Sequence, residues 1–309
     1  MTSPVSNPPE SAGSSAPAGT EAGKPVPESD ASQVAAAHAA EVESGKRFEF
    51  GRNWANFLRV LNDERIETAI QAVSNMLGVT SLEGKRFLDV GSGSGLSSLA
   101  ARRLGAEVWS FDYDPESVAC TSELRRRYYP EDSQWKVFSG SVLDQKFLGQ
   151  LGTFDVVYSW GVLHHTGQMW QAITNVLPLV AENGQLFIAI YNDQGTQSKR
   201  WKRIKQIYCS GTAGKAAMSS IVIPFWVGRS LAADLKNFRN PLEKYTSYSK
   251  RRGMSVWHDW HDWLGGYPFE VARPEEIFSF LRKNGFELEA LKTAGGTLGC
   301  NEFVARRVS

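Results

Sequence analysis

Lys85–Asp114 reads KRFLDVGSGSGLSSLAARRLGAEVWSFDYD, and this stretch decides the fold. Phe87-Leu88-Asp89-Val90 reads as a short buried strand, and Gly91, Gly93 and Gly95 make a tight loop. Leu96 to Leu104 carries apolar residues at helical spacing, and Val108-Trp109-Ser110-Phe111 begins a second strand. Together these form a strand, loop, helix, strand unit of a parallel sheet. The glycines let the backbone pass close to a ligand, and the loop feeds a helix N-terminus whose free N–H groups and positive dipole end favour anionic groups. A nucleotide-like guest is expected.

The spacing narrows that guest. In the dinucleotide fingerprint GxGxxG the third glycine would fall at position 96, but that residue is Leu96 and the glycine stands one earlier, at Gly95. Asp89 sets a carboxylate beside the loop, which would repel a diphosphate and suit an ammonium group. Asp112 closes the second strand 21 residues after Gly91, where a carboxylate can accept hydrogen bonds from both ribose hydroxyls. A ribose carrying a cation fits both acids.

The stretch resembles the class I S-adenosylmethionine (SAM) dependent methyltransferases of bacterial small-molecule type. Their first motif, an acid, an apolar residue and GxGxG, is matched by Asp89-Val90-Gly91-Ser92-Gly93-Ser94-Gly95, and their ribose-binding acid by Asp112. The resemblance implies a Rossmann-like, doubly wound α/β fold with a mostly parallel seven-stranded sheet ending in a C-terminal β-hairpin. It implies SAM as cofactor, leaving S-adenosylhomocysteine as product, with Tyr113 following the ribose acid. Ser139-Gly140-Ser141-Val142-Leu143-Asp144 resembles the segment after strand three, which gives Ser141 and Val142 a place at the adenine. Strand four, Phe154 to Trp160, runs into Gly161-Val162-Leu163-His164-His165. That segment resembles the family's post-strand-four motif, and places Trp160 beside the cofactor and His165 at the acceptor mouth.

Further along, Met169 to Val180 is expected as a helix stopped by Glu182-Asn183-Gly184, and Gln185 to Ile190 as strand five. The polar cluster after that strand makes Tyr191 and Asn192 candidates for orienting an acceptor. Residues 196–270 break the alternation and are expected to be a helical and aromatic insertion acting as a lid. Within it, Trp257-His258-Asp259-Trp260-His261-Asp262-Trp263 packs three of the chain's ten tryptophans and two of its five histidines into seven residues. On a helix His258, His261 and Asp262 share a face. His258 or His261, assisted by Asp259 or Asp262, is therefore the expected base, with His165 in reserve and no metal ion expected. Trp257 and Tyr267 are candidates for holding the acceptor.

Outside these regions, residues 1–44 are rich in Ala, Ser, Pro, Glu and Gly and read as a disordered tail without an organelle address. Residues 45–82 read as an N-terminal helical segment, 83–195 as the cofactor-binding core, and 271–309 as the helix and hairpin completing that core. The net charge of +1 over 309 residues indicates neither a nucleic-acid partner nor a membrane surface. Cys120, Cys209 and Cys300 lack metal spacing and fit a reducing cytoplasm. The function expected is methyl transfer from SAM to a small-molecule acceptor. The alternatives are a SAM-binding protein without catalysis or an NAD(P)-dependent oxidoreductase.

Overall fold

The computed structural model describes residues 30–236, 260 and 263–308. Seven strands form one sheet in the order β3-β2-β1-β4-β5-β7-β6. They are β1 (Arg86–Val90), β2 (Glu107–Asp112), β3 (Trp135–Ser139), β4 (Phe154–Trp160), β5 (Val180–Tyr191), β6 (Phe286–Lys292) and β7 (Cys300–Arg307). The first five are parallel, and β7 runs antiparallel between β5 and β6. Strand order reverses between β1 and β4, so the loops leaving β1 and β4 turn to opposite faces and open a crevice at the carboxyl ends of the strands. This is the Rossmann-like, mostly parallel sheet with a C-terminal hairpin that the sequence implied.

β1 and β4 read as almost continuous apolar runs because both faces of the sheet are covered. One core gathers Leu88, Val90, Phe111, Val157 and Ile188 under the later helices, and the other gathers Phe87, Val108, Val156, Tyr158 and Phe187. Helices α4 (Leu96–Arg103), α5 (Pro115–Tyr128), α6 (Gln145–Leu148), α7 (Met169–Val176) and α10 (Pro274–Lys283) supply those layers, with α3 (Asp63–Leu77) packed on α4.

Two boundaries differ from the expected ones. Helix α7 stops at Val176, a 3₁₀ turn carries the chain through Pro178, and β5 already begins at Val180. The expected stop, Asn183, sits at φ 59° inside β5, where the register against β4 shifts between Phe154 and Val156. A turn signature has become a bulge. At the other end, Ala31–Glu43, read as tail, is helix α1. Asp30 caps it by accepting from the backbone N–H groups of Ser32 and Gln33, and His38 anchors it, being buried against Tyr113 and Asp114. α1 and α2 (Gly51–Arg59) lie across the crevice. Among the described residues the insertion opens with a helical hairpin, α8 (Thr196–Cys209) and α9 (Thr212–Lys236), packed through Trp201, Tyr208, Val222 and Trp226 onto Phe48 and Leu264.

Candidate active site

A cavity of about 930 Å³ occupies the crevice. Its floor is the glycine loop. Gly91 has φ 79°, and a Cβ there would stand 2.4 Å from a methyl of Val162, so the β1 loop lies directly on the loop after β4. Gly93 is roofed by the Trp54 indole, whose Nε1 is 3.1 Å from where a Cβ would be.

Asp89 is 2% exposed at the end of β1. Its Oδ2 accepts from Ser98 Oγ at 2.5 Å. Ser98 Oγ is 2.7 Å from Ser110 Oγ, and Ser110 Oγ accepts from Trp135 Nε1 at 3.0 Å. A hydroxyl has one proton to give. Ser98 gives its proton to Asp89, so Ser110 donates to Ser98 and three donors run in series from under the sheet onto one carboxylate. Burial nevertheless raises the Asp89 carboxyl to about 7, with Ser98 opposing and Asp112 adding to the rise.

Asp112 is held differently. Its Oδ2 accepts from Gly93 N and its Oδ1 from Asp114 N, each at 2.9 Å. Burial lifts it to about 6, opposed by those amides. Each oxygen keeps a second lone pair for a hydroxyl in the cavity.

The roof comes from the start of the chain. Gly51 N donates to Asp114 Oδ2 at 2.7 Å while Asp114 Oδ1 caps α5 by accepting from Glu116 N at 2.9 Å. Arg47 lies over the Tyr113 ring at 4.9 Å, pairs with Glu41 at 2.6 Å, and donates from Nη1 to the His165 carbonyl at 3.1 Å. It thus spans from the loop after β2 to the loop after β4. His38 Nε2 stands 3.6 Å from Asp114 Oδ2, but burial lowers its pKa, with Asp114 opposing.

The far end is aromatic. Trp160, Tyr191 and Trp263 line it with Glu302 and the turn Thr297–Cys300. His165 is 8% exposed and its Nδ1 lies 2.7 Å from the Pro268 carbonyl. A carbonyl only accepts, so Nδ1 carries the proton and Nε2 keeps its lone pair. Burial pushes this imidazole down to about 3, which makes it a hydrogen-bond acceptor and a weak proton acceptor. Cys300 at the same wall is pushed up to about 12 by burial and is a thiol.

A family model described as a methyltransferase domain matches residues 88–186, from inside β1 to inside β5. That span contains both acids, the glycine loop and the loop after β4. Residues 88–186 thus match a methyltransferase domain. The seven-stranded order with an antiparallel β7 is the sheet that the class I resemblance implied. The ubiquinone biosynthesis O-methyltransferase of Xanthomonas campestris pv. campestris (strain B100) is 31% identical over 135 residues, 44% of this chain and 52% of the relative. That of Xanthomonas oryzae pv. oryzae (strain PXO99A) is 32% identical over 111 residues, 36% of this chain and 45% of the relative. The chain thus spans about half the length of the curated relatives it matches. Among solved structures, the magnesium protoporphyrin IX methyltransferase of Synechocystis PCC 6803 is similar at TM-score 0.48 and 14% identity, covering 83% of this chain and 94% of that one. The 1,6-didemethyltoxoflavin-N1-methyltransferase of Burkholderia thailandensis is similar at TM-score 0.46 and 13% identity, with 94% of each chain covered.

Within this matched span, Asp89, Gly91, Ser92, Gly93, Asp112, Tyr113, Ser141, Val142 and Trp160 all line the cavity. Gly95 does not. At φ 80° it opens α4, with Thr121 packed where a Cβ would be. Ser92 turns its hydroxyl away, 2.8 Å from Thr121 Oγ1. Of the acceptor candidates, Tyr191 lines the cavity. Asn192 lies behind the wall, 8% exposed, donating to Thr297 O and accepting from Asn301 Nδ2, both at 3.1 Å. Asn301 in turn accepts from Ala294 N at 2.9 Å. This amide pair fixes the turn that faces the cavity. Tyr267 accepts from Phe48 N at 2.8 Å through its carbonyl, joining the insertion's end to the roof. His258, Asp259, His261, Asp262 and Trp257 lie outside the described residues. Among the described residues no His/Cys/Asp/Glu group could hold a metal ion.

The roof residues Arg47, Phe50 and Trp54 and the turn at Thr297–Glu302 escaped sequence reading. Phe48 and Phe50 with Trp54 and Phe57 do form a dense aromatic run beside a glycine, the one signal that pointed to a cover over something flat.

Proposed function

We propose that this chain transfers the methyl group of SAM to a nucleophile on a small-molecule acceptor. The observation that carries the proposal is the pair of buried carboxylates, Asp89 and Asp112, at the ends of adjacent strands on either side of a glycine loop within a span that matches a methyltransferase domain. Asp89 faces the ammonium of the methionine end and Asp112 takes the ribose hydroxyls. Tyr113, Ser141 and Val142 flank the base. The 930 Å³ cavity lies at the upper end of ligand-pocket sizes, about 300–1,000 Å³, which leaves room for an acceptor beside the cofactor.

The acceptor occupies the end bounded by Trp160, Tyr191, Trp263 and Thr297–Cys300. There its nucleophilic atom attacks the methyl carbon in line with the C–S bond. That bond breaks, its electron pair stays on sulfur, and the sulfonium becomes the neutral thioether of S-adenosylhomocysteine. Bringing the two reactants together supplies most of the acceleration, up to about 7–11 kcal/mol for well-oriented partners. A hydroxyl or ammonium acceptor also loses a proton. His165 Nε2 accepts a hydrogen bond from such a group and orients it, and the His258/His261 cluster with Asp259 and Asp262 is the proposed proton acceptor.

The test is incubation with methyl-labelled SAM and separated small-molecule and macromolecule fractions of source-cell extract, with Asp112→Ala as control. Label entering the small-molecule fraction with the wild-type chain alone is expected. Label entering the macromolecule fraction, or none in either despite tight SAM binding, overturns the proposal. His258→Ala and His261→Ala are each expected to lower turnover by roughly 10² or more with SAM affinity unchanged; normal turnover in both removes the base assignment.

A further inference from the structure

Charge is nearly balanced over the whole chain, yet it is unbalanced locally. Residues 196–236, the α8–α9 hairpin, hold eight lysines and arginines against the single Asp234. One of the eight, Lys205, is buried over the Trp263 and Phe269 rings, and the other seven are exposed.

Helix α9 is also apolar on two sides. Its inner side, Val222 and Ile223, is buried against Tyr208 and Leu264. Its outer side runs through Ala213, Ala217, Ile221 and Phe225 at four-residue steps, then Gly228 and Ala232, all exposed. Ile221 and Phe225 are each 63% exposed, more than any other large apolar side chain among the described residues. A helix that is hydrophobic on both sides is normally buried on both. Among the described residues none covers the outer face of α9.

The charges choose the partner that does. A second copy of the chain would bring the same excess of positive charge to the same face, and like charges at such a contact repel. Exposed bulky apolar residues flanked by lysines and arginines, with no exposed acid among the described residues of the hairpin, match an interfacial helix. Such a helix sinks its apolar side chains into the acyl boundary and sets its cations among anionic headgroups. From this chemistry we infer that the α8–α9 hairpin docks on an anionic lipid surface, lying on it without crossing it. No helix among the described residues is long and apolar enough to span a bilayer. The whole-chain charge had indicated no membrane contact, because acids elsewhere cancel the local excess. The hairpin also borders the cavity: the Trp201 ring of α8 lies 4.6 Å from that of Trp263, a cavity-lining residue.

The test is cosedimentation of the full chain with phosphatidylcholine vesicles made with and without phosphatidylglycerol. At least about tenfold more bound protein is expected on the anionic vesicles, falling as salt is raised. Ile221→Glu with Phe225→Glu abolishes binding while far-ultraviolet circular dichroism and Tm stay at wild-type values. Arg200→Glu with Arg203→Glu, on the exposed side of α8, weakens binding by a separate route, so the test survives if the first pair fails to fold. Equal binding to both vesicle types, no binding to either, or wild-type binding by both double variants overturns the inference. A dimer in sedimentation velocity that Ile221→Glu with Phe225→Glu dissociates, without vesicle binding, assigns the face to a second copy and likewise overturns it.

Discussion

The two ends of the cavity are built by different means. At the cofactor end the groups proposed to meet the ligand sit at the end of a parallel strand or in the loop that follows: Asp89 in β1, Asp112 closing β2 and Ser141 after β3. At the acceptor end the strand-end residues Trp160 and Tyr191 are joined by walls from the chain's remote parts: Phe50 near the start, Trp263 from the insertion, and Thr297–Glu302 near the finish. Strand pairing fixes the first end to within the register of the sheet. The second rests on side-chain contacts such as Asn192–Asn301 and Arg47–His165, which other residues could replace without disturbing the sheet. One end is constrained by the fold and the other is free to change with the acceptor.

Measuring S-adenosylhomocysteine affinity by calorimetry tests this division, because the effects should shrink from the first end to the second. Asp112→Ala should weaken binding by roughly 1.5–3 kcal/mol, since a hydrogen-bonded charge is lost; an unchanged affinity breaks the comparison at its firm end. Lowering the pH from 8 to 6 should weaken binding by about tenfold, or about 1.4 kcal/mol. The sign follows from Asp89: its carboxyl is raised to about 7 in the empty site, so it is ionised above that pH and protonated below it, and only the ionised form attracts an ammonium. The same raised carboxyl favours the ligand-free fold as pH falls from 7 toward 4, so Tm without ligand and affinity for ligand should move in opposite directions. Trp54→Ala should weaken binding by about fivefold, about 1 kcal/mol, through loss of the indole over Gly93. Asn301→Ala should leave affinity within about twofold while lowering stability by roughly 1–3 kcal/mol, because the Ala294 amide and the Asn192 carbonyl lose their partner. A large loss of affinity there would mean the two ends are one unit.

The cofactor end was legible for the same reason that it is rigid. An acid, a glycine loop and a second acid at the next strand's end are local in sequence, and one βαβ unit converts their spacing into position. The donor series behind Asp89 was not legible, since Trp135, Ser110 and Ser98 come together only through the pairing of β2 with β3 and the packing of α4. Asn192 carried the right signal, a polar residue at a strand's carboxyl end. Its partner Asn301 lies 109 residues away, and only the antiparallel register of β5 with β7 sets the two side by side. Ala31–Glu43 looked like tail because alanine-rich sequence has little apolar periodicity, and its helix depends on a cap at Asp30 and a distant anchor at Asp114.

Asp114 carries a consequence for motion. Its two oxygens serve two helix starts at once, Oδ1 the Glu116 amide of α5 and Oδ2 the Gly51 amide of α2. α2 has no side-chain cap of its own, so its first turn is tied to a residue 63 positions later. Neither end can loosen without leaving half of that buried carboxylate unpaired. The roof and the nucleotide-side helix therefore breathe as one body, and hydrogen exchange at Gly51 and Glu116 should follow a single opening rate.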